Sequence, residues 1–291
     1  MKLFVTGASG WIGSAVVPEL LGAGHQVLGL ARSDSSAEAL ARAGADVHRG
    51  DLEDLDSLRN GAKDADGVIH LAFRHDFTDY ANAGELDRRA ITTLGDVLAD
   101  SGRPLVVTSG TGGHAPGEIL TEDQPASPHS PRLSEQPALA LVDRGVRVSI
   151  VRPAPSVHGN GDYGFVPTLI DVARAKGVSG YVGDGTNRWS AVHRDDAAVL
   201  YRLAVEKASA GTVLHAIGEG AVATRDIAES IGAHLGVPVT SIAPENAIEH
   251  FGWIGGFFAL DIPASSAITR QKFGWQPTGI GLIEDLEAHY F

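Results

Sequence analysis

The stretch TGASGWIG at residues 6–13 constrains the fold of this chain more than any other feature. It follows an apolar run that predicts a short buried strand, and the periodic apolar residues over 11–22 predict a helix directly after it. In such a unit Gly7 permits a tight turn, Gly10 lets the backbone approach a pyrophosphate, and Gly13 lets helix and strand pack closely. The helix N-terminus favours the phosphate charge. The motif therefore predicts dinucleotide binding.

Short apolar runs alternate with helix-length segments along the rest of the chain. The predicted strands are residues 3–7, 27–31, 46–50, 67–72, 104–110, 146–153 and 212–218. Apolar spacing predicts helices over residues 11–22, 36–43, 85–100, 195–206 and 224–235. Strands separated by helices imply right-handed crossovers and a parallel sheet covered on both faces. We predict an α/β protein with a Rossmann-type doubly wound parallel sheet.

The rhythm changes after Pro153, where RPAPSVHGNGDYGFVP (152–167) and later FGWIGGFFALDIP (251–263) are irregular and partly apolar. We interpret these segments as walls, and one as a lid, of a substrate pocket; a packed subdomain without a ligand is the alternative. The predicted dinucleotide-binding domain is 1–155, with 190–218 returning to it. The smaller, discontinuous substrate-binding part is 156–189 and 219–291.

Composition limits the class of protein. A formal charge of −13 in 291 residues argues against nucleic acid or an anionic membrane as a partner, since its field repels phosphates. The first residues run directly into a strand, without a signal-peptide pattern, and no apolar run approaches the roughly 18 residues of a membrane span. With no cysteine and no compact set of histidines, no catalytic metal is predicted. We expect a cytoplasmic protein that acts on a small molecule; the sequence gives no oligomeric state.

The end of the second strand discriminates between nicotinamide cofactors. An acidic residue there would bind the ribose 2′-hydroxyl, whereas LARSDSS offers Arg32 and Ser33 first. Arginine can bind a phosphate through two charge-assisted hydrogen bonds. We predict NADP(H) in preference to NAD(H), with Asp34 as the residue that argues against it.

Five more segments, GDLED (50–54), HLAF (70–73), VVTSG (106–110), RPAPSVHG (152–159) and AVHRDDAA (191–198), give the chain a family resemblance. With the glycine motif, they resemble the short-chain dehydrogenase/reductase superfamily, in its extended and atypical branch of NAD-dependent epimerases and dehydratases. For each matched residue the alternative is strand-end packing, and for Asp51 also a helix N-cap. The cofactor-binding residues that the resemblance and the motif imply are Gly7, Ser9, Gly10, Trp11, Ile12, Gly13, Arg32, Ser33, Asp51, Leu52, Leu71, Ala72, Phe73, Thr108, Pro153, Ala154, Pro155 and Val157.

The chain departs from this family at its catalytic pair, a tyrosine with a lysine four residues later. Pro131 and Glu135 stand at those positions, and none of the five tyrosines has a lysine at that spacing. The chain is therefore similar to a subgroup that lacks the motif. We expect the helix here to begin late, near Ser134. The Glu135 carboxylate would then lie in the first turn and stabilise the helix by its interaction with the positive end of the dipole, rather than act in catalysis.

Other side chains must then supply the chemistry. Ser109 and Thr111, beyond the fifth strand, are the nearest hydroxyls that could polarise a carbonyl; an ordinary polar turn is the alternative. Tyr163 and Trp189 are candidates for pocket walls, and Trp189 alternatively for the core. The candidate substrate residues are His75, His114, Tyr163, Trp189 and His193.

These observations predict an NADPH-dependent, ketoreductase-like enzyme that transfers hydride to a carbonyl of a moderately large, partly apolar molecule. A nucleotide-sugar epimerase or dehydratase is a second hypothesis, disfavoured because the Tyr/Lys pair that would deprotonate a sugar hydroxyl is absent. A non-catalytic NADP(H) sensor is the third.

Overall fold

The computed structural model describes residues 1–75, 79–112, 117–127 and 132–291. Its centre is a seven-stranded parallel sheet in the order β10-β6-β5-β4-β1-β2-β3. The strands of this sheet are β1 (Lys2–Thr6), β2 (Gln26–Ala31), β3 (Asp46–Arg49), β4 (Gly67–His70), β5 (Pro104–Thr108), β6 (Arg147–Pro153) and β10 (Thr212–Ala216).

Both faces of the sheet are buried, as its nearly continuous apolar strands require. Successive side chains of a strand point to opposite faces, so Leu3 and Val5 join one buried cluster while Phe4 joins the other. The first cluster is completed by helices α1 (Gly13–Gly22) and α7 (Arg194–Lys207). The second is completed by α3 (Leu55–Lys63), α4 (Tyr80–Leu98) and α5 (Glu135–Ala140). Helix α2 (Asp34–Arg42) follows β2.

The C-terminal part adds two small sheets and a third apolar cluster, which contains Trp189, Ile227 and Phe258. One sheet has the order β11-β9-β7 and the other pairs β12 with β8. Their strands are β7 (Ser156–His158), β8 (Ser179–Val182), β9 (Arg188–His193), β11 (Glu219–Ala223) and β12 (Val239–Ile242). The helices of this part are α6 (Phe165–Lys176), α8 (Thr224–Leu235), α9 (Ala247–Phe251), α10 (Gly255–Phe258), α11 (Ala267–Phe273) and α12 (Leu282–His289).

The predicted Rossmann-type α/β fold is confirmed, and all seven predicted strands lie in the main sheet. The late strand β10 pairs with β6, so residues 212–216 are part of that sheet. The division into domains at 155, 190 and 218 stays a prediction. The segment 152–167, expected to be irregular, instead contains strand β7 and the start of α6.

No helix within the described ranges is long and apolar enough to span a lipid bilayer.

Candidate active site

A cavity of about 1240 Å³ opens at the carboxyl ends of β1, β4, β5 and β6. Open α/β sheets bind ligands at this edge. Its wall runs from the glycine loop to the aromatic segment around Trp253 and Phe257. Pockets for one small ligand measure roughly 300–1000 Å³. This cavity is therefore large enough for a dinucleotide and a second molecule together.

The glycine loop has the geometry that the motif predicts. Gly7 has a φ of 68°, a left-handed conformation that glycine adopts without strain. A Cβ atom on Gly13 would lie 2.1 Å from the Gly7 carbonyl oxygen, so only glycine lets α1 begin this close to the turn. The loop therefore leaves the N-terminus of α1 open to the cavity, as phosphate binding requires.

Trp11 connects the glycine loop to the opposite wall. Its indole Nε1 donates a hydrogen bond of 2.6 Å to the carbonyl oxygen of Val157 in β7. The Arg194 guanidinium lies 4.1 Å from the centre of the indole ring, and the Tyr163 ring packs edge-on against it at 5.7 Å. These contacts fix the indole between the glycine loop and the C-terminal part.

Nearly all of the predicted cofactor residues line this one cavity, and Ser33 is the exception. The Ser33 hydroxyl caps α2 by accepting a hydrogen bond from the Ser36 amide, so it is used in the fold. Ser36, one turn later, reaches the cavity instead. Asp51 also lines the cavity, and Asp54 is the N-cap of α3, so the capping alternative for Asp51 is wrong.

Charges at the end of β2 are arranged in two pairs. Arg32 is highly exposed, at 83%, and its Nε lies 3.8 Å from the Asp51 carboxylate, which is a loose ion pair. The Asp34 carboxylate is instead bound by Arg49, whose guanidinium also donates to the Ser33 carbonyl oxygen. Asp34, the residue that argued against a 2′-phosphate, therefore lies outside the cavity wall.

Glu135, predicted to stand at the lysine position of the family, has a structural role. Helix α5 begins at this residue, as predicted, but its carboxylate does more than favour the helix dipole. It forms a two-pronged ion pair with Arg152, with distances of 2.7 and 2.8 Å, and the two side chains are 4% and 1% exposed. Glu135 does not line the cavity. Pro131, predicted to stand at the tyrosine position, lies outside the described residues.

The two candidate hydroxyls beyond β5 both belong to the cavity wall. Within the described part of the chain, the Thr111 Oγ1 is buried without a hydrogen-bond partner. A buried hydroxyl without a partner destabilises the folded protein by about 1–3 kcal/mol. A ligand atom that accepted a hydrogen bond from it would therefore recover that free energy on binding. The neighbouring Thr108 hydroxyl is already engaged, since it donates to the His70 carbonyl oxygen and meets the Tyr201 hydroxyl at 2.9 Å.

The candidate substrate residues divide into three groups. His75 and Tyr163 line the cavity, and Tyr163 is 69% exposed at its mouth. Trp189 is fully buried in the third cluster, which matches its core alternative, and His193 caps α7 by accepting from the Asp195 amide. Neither belongs to the cavity wall. His114 lies outside the described residues.

Enclosure by the cavity walls, followed by the charge of Arg132, lowers the pKa of His75. A lowered pKa leaves little imidazolium at neutral pH, which weakens His75 as a proton donor. Burial raises the pKa of Tyr80, another lining residue, so its phenol keeps its proton. Tyr80 was not predicted, because it lies at the start of α4, far along the chain from the expected tyrosine.

Arg132 also lines the cavity and was not predicted from the sequence. Its guanidinium lies 4.3 Å from the centre of the Phe73 ring, and its Nε donates to the Ser134 hydroxyl at 3.0 Å. Ser134 donates in turn to Asp87, whose other carboxylate oxygen is 3.1 Å from His70. The sequence signal that could have identified Arg132 is a positively charged residue in the segment where the family carries its catalytic tyrosine.

The far end of the cavity is apolar and aromatic. Phe165 packs against Trp253 and Phe257 at 5.7 and 5.9 Å between ring centres. The residues that complete this wall are Leu260 and Ile262. The predicted wall segment 251–263 therefore does line the cavity, and it favours an apolar substrate part.

A sequence model of the NAD dependent epimerase/dehydratase family matches residues 3–217. The chain belongs to this family. An uncharacterized protein of Schizosaccharomyces pombe is 48% identical over 293 residues, covering 99% of both chains. A sterol-4-alpha-carboxylate 3-dehydrogenase, decarboxylating, of Dictyostelium discoideum is 30% identical over 233 residues, which cover 74% of this chain and 70% of that protein.

The family's fold is also found in solved structures. The dTDP-glucose 4,6-dehydratase DesIV of Streptomyces venezuelae, with NAD and TYD bound, aligns with a TM-score of 0.80 at 23% identity. The alignment covers 100% of this chain and 96% of DesIV. At this identity the likeness shows the fold, and the Rossmann-type architecture of this chain follows.

Proposed function

We propose that this protein is an NADPH-dependent reductase that transfers hydride to a carbonyl of a moderately large, partly apolar small molecule. One observation carries the proposal: a single cavity joins the glycine loop to an aromatic wall and has room for both molecules. The Dictyostelium relative is a dehydrogenase of a sterol carboxylate, which is a large apolar molecule. Its name supports oxidoreductase chemistry on such a substrate.

The residues present fit a nicotinamide dinucleotide. The Gly7 turn and the open N-terminus of α1 would hold the pyrophosphate, and Pro153 and Val157 would border the nicotinamide. When bound, the reduced cofactor supplies a hydride, and a proton must reach the carbonyl oxygen to complete an alcohol.

Selection of NADP(H) over NAD(H) is part of the proposal. Arg32 and Ser36 line the cavity at the end of β2, and Arg49 holds the Asp34 carboxylate at a site outside that wall. A 2′-phosphate would compete with Asp51 for the Arg32 guanidinium, which is held only loosely at 3.8 Å. The structure of DesIV contains NAD. Comparing the dissociation constants of NADPH and NADH therefore tests this selection directly.

Hydroxyl groups of the wall would stabilise the oxygen that gains charge. Ser109 and Thr111 lie beyond β5, and Thr111 has a buried hydroxyl without a partner in the described structure. Tyr80 is a further phenol in the same wall, and burial raises its pKa, so it would donate a hydrogen bond to the oxygen while keeping its proton. Donation from one of these groups would replace the role of the missing tyrosine.

Epimerase or dehydratase chemistry is disfavoured by the site itself. Removing hydride from a sugar requires a base on the hydroxyl group, and the position of the activating lysine holds Glu135 in a buried ion pair. The cytoplasmic location expected from the sequence stays a prediction.

The test is NADPH oxidation, followed by its absorbance, with a panel of quinones, cyclic ketones and long-chain oxo compounds. Turnover that survives Tyr163→Phe but falls in Ser109→Ala, Thr111→Val or Tyr80→Phe would support the proposal and identify the donor. Tight NADPH binding without oxidation across the panel would favour a sensor instead.

A further inference from the structure

We infer that Arg132 forms an anion subsite beside the reacting carbonyl, and that the substrate is an oxo acid with an apolar chain. The inference rests on the proposed function and names the substrate class of that same cavity. Its evidence is the position of Arg132, the buried groups that hold it, and the apolar opposite wall.

Arg132 lies at the edge of the cavity where the reaction is expected. Its partner Phe73 follows β4 by three residues, and Ser109 directly follows β5. These two strands are neighbours, with His70 paired to Val107. Arg32 lies at the end of β2, which is separated from β4 by β1. Adjacent strands are about 4.8 Å apart, so the two arginines serve different ends of the cavity.

Buried polar groups fix the direction of the guanidinium. Ser134 accepts from Arg132 and donates to Asp87, and Asp87 contacts His70, which contacts Thr6 at 2.7 Å. Ser134, Asp87, His70 and Thr6 are all buried. The hydrogen bonds with His70 and Ser134 and the charge of Arg132 lower the pKa of Asp87 against the effect of its burial, so this carboxyl stays ionised.

This arrangement suits an arginine that binds a ligand. The Asp87 carboxylate offsets the desolvation of the Arg132 charge, and the Phe73 ring supports one face of the guanidinium. A planar guanidinium held in one orientation can grip a carboxylate through two hydrogen bonds with little loss of entropy.

The aromatic wall opposite Arg132 indicates the chemical character of the rest of the ligand. Phe165, Trp253 and Phe257 form an aromatic surface, which favours an apolar part of a ligand. A molecule that satisfies both ends has a carboxylate next to its carbonyl and an aliphatic or alicyclic body. Hydride and proton transfer convert the carbonyl to a hydroxyl, and the carboxylate is unchanged.

Decanoate and decan-1-ol, which cannot be reduced, serve as probes in titration calorimetry with the full chain, without cofactor and again with NADP⁺. We expect the wild-type protein to bind decanoate more tightly than the alcohol. Arg132→Gln should weaken decanoate binding by roughly 10- to 100-fold, the value of a charge-assisted hydrogen bond to a charged group. It should leave decan-1-ol binding unchanged.

Two further variants control the result. Arg132→Lys keeps the charge and should retain part of the preference for decanoate, which guards against a folding defect in Arg132→Gln. Arg225→Gln removes another arginine that stacks on an aromatic ring, that of Tyr181 at 4.7 Å, outside the cavity wall. This variant should bind decanoate like the wild type.

Equal binding of decanoate by wild-type and Arg132→Gln protein, with circular dichroism showing both folded, would overturn the inference. So would a wild-type protein that does not distinguish decanoate from decan-1-ol. Because no turnover is measured, the outcome is separate from the proposed reductase activity. Decanoate binding through Arg132 without any NADPH oxidation would support the subsite and remove the proposed function.

Discussion

Replacing Glu135 by glutamine tests whether the ion pair of this residue with Arg152 stabilises the core. Arg152 is 1% exposed, and two of its hydrogen bonds are made to the Glu135 carboxylate. Its other contacts are neutral: the Gln124 carbonyl oxygen and the His215 ring. Glutamine would leave the guanidinium charge buried without a counter-charge and would turn one amide NH₂ toward a donor.

Breaking a buried ion pair on one side costs about 3–5 kcal/mol. Glutamine keeps one acceptor oxygen, so we expect a loss near the lower limit, about 3 kcal/mol. With a urea m-value of about 3 kcal/mol per molar, this loss lowers the unfolding midpoint by about 1 M.

Urea unfolding followed by far-ultraviolet circular dichroism measures this change. Glu85→Gln is the matched control, because Glu85 forms a two-pronged pair with Arg88 on the exposed face of α4 and its loss should leave the midpoint unchanged. The double variant Glu135→Leu/Arg152→Met should recover most of the stability, since it leaves no charge unpaired. A loss in Glu135→Gln below about 1 kcal/mol, the value of exposed pairs, would refute the reasoning.

Three further predictions concern the cofactor, the pH dependence and the orphan hydroxyl. Arg32→Ala should weaken NADPH binding and leave NADH binding nearly unchanged, as dissociation constants from nicotinamide fluorescence would show; an equal effect on both would contradict the assignment of Arg32 to the 2′-phosphate. Burial lowers the pKa of His215 from 6.5 to about 4, so the unfolded chain binds a proton that the native chain does not between those values. Stability should therefore fall as the pH drops from 6.5 toward 4, by up to about 3 kcal/mol, and urea midpoints of His215→Gln should lack this part of the decline. Thr111→Val should lower kcat/KM for a carbonyl substrate by roughly 100-fold without lowering stability, because the lost hydroxyl has no partner among the described residues; a destabilised but fully active variant would show that its role is structural.

The parts of the fold that depend on local pattern could be predicted from the sequence. Each apolar run of the sheet and the glycine turn at Gly7 follow from short-range periodicity and backbone freedom. The residues that the family resemblance implied at the strand ends also line the cavity. Ser33 was the exception, since its own helix uses the hydroxyl as a cap.

Pairings between residues distant in sequence could not be predicted. Glu135 meets Arg152 across 17 residues, and Ser134 meets Asp87 across 47. Such contacts are set by which elements pack together, and a single sequence gives no signal for them. The same limit applies to Trp189, for which the sequence left the pocket wall and the core both open, and which β9 carries into the core.

Deuterium transfer from NADPH labelled at the nicotinamide C4 position tests directly whether the protein transfers hydride to a carbonyl carbon. The protein would be incubated with this cofactor and a long-chain oxo acid, and the product analysed by mass spectrometry. We predict an alcohol that carries one deuterium at the former carbonyl carbon, formed with equimolar NADP⁺ and reduced in Thr111→Val or Ser109→Ala. Bound NADPH that releases no label to the oxo acid or to neutral ketones, or a protein that does not bind NADPH, would contradict the reductase function.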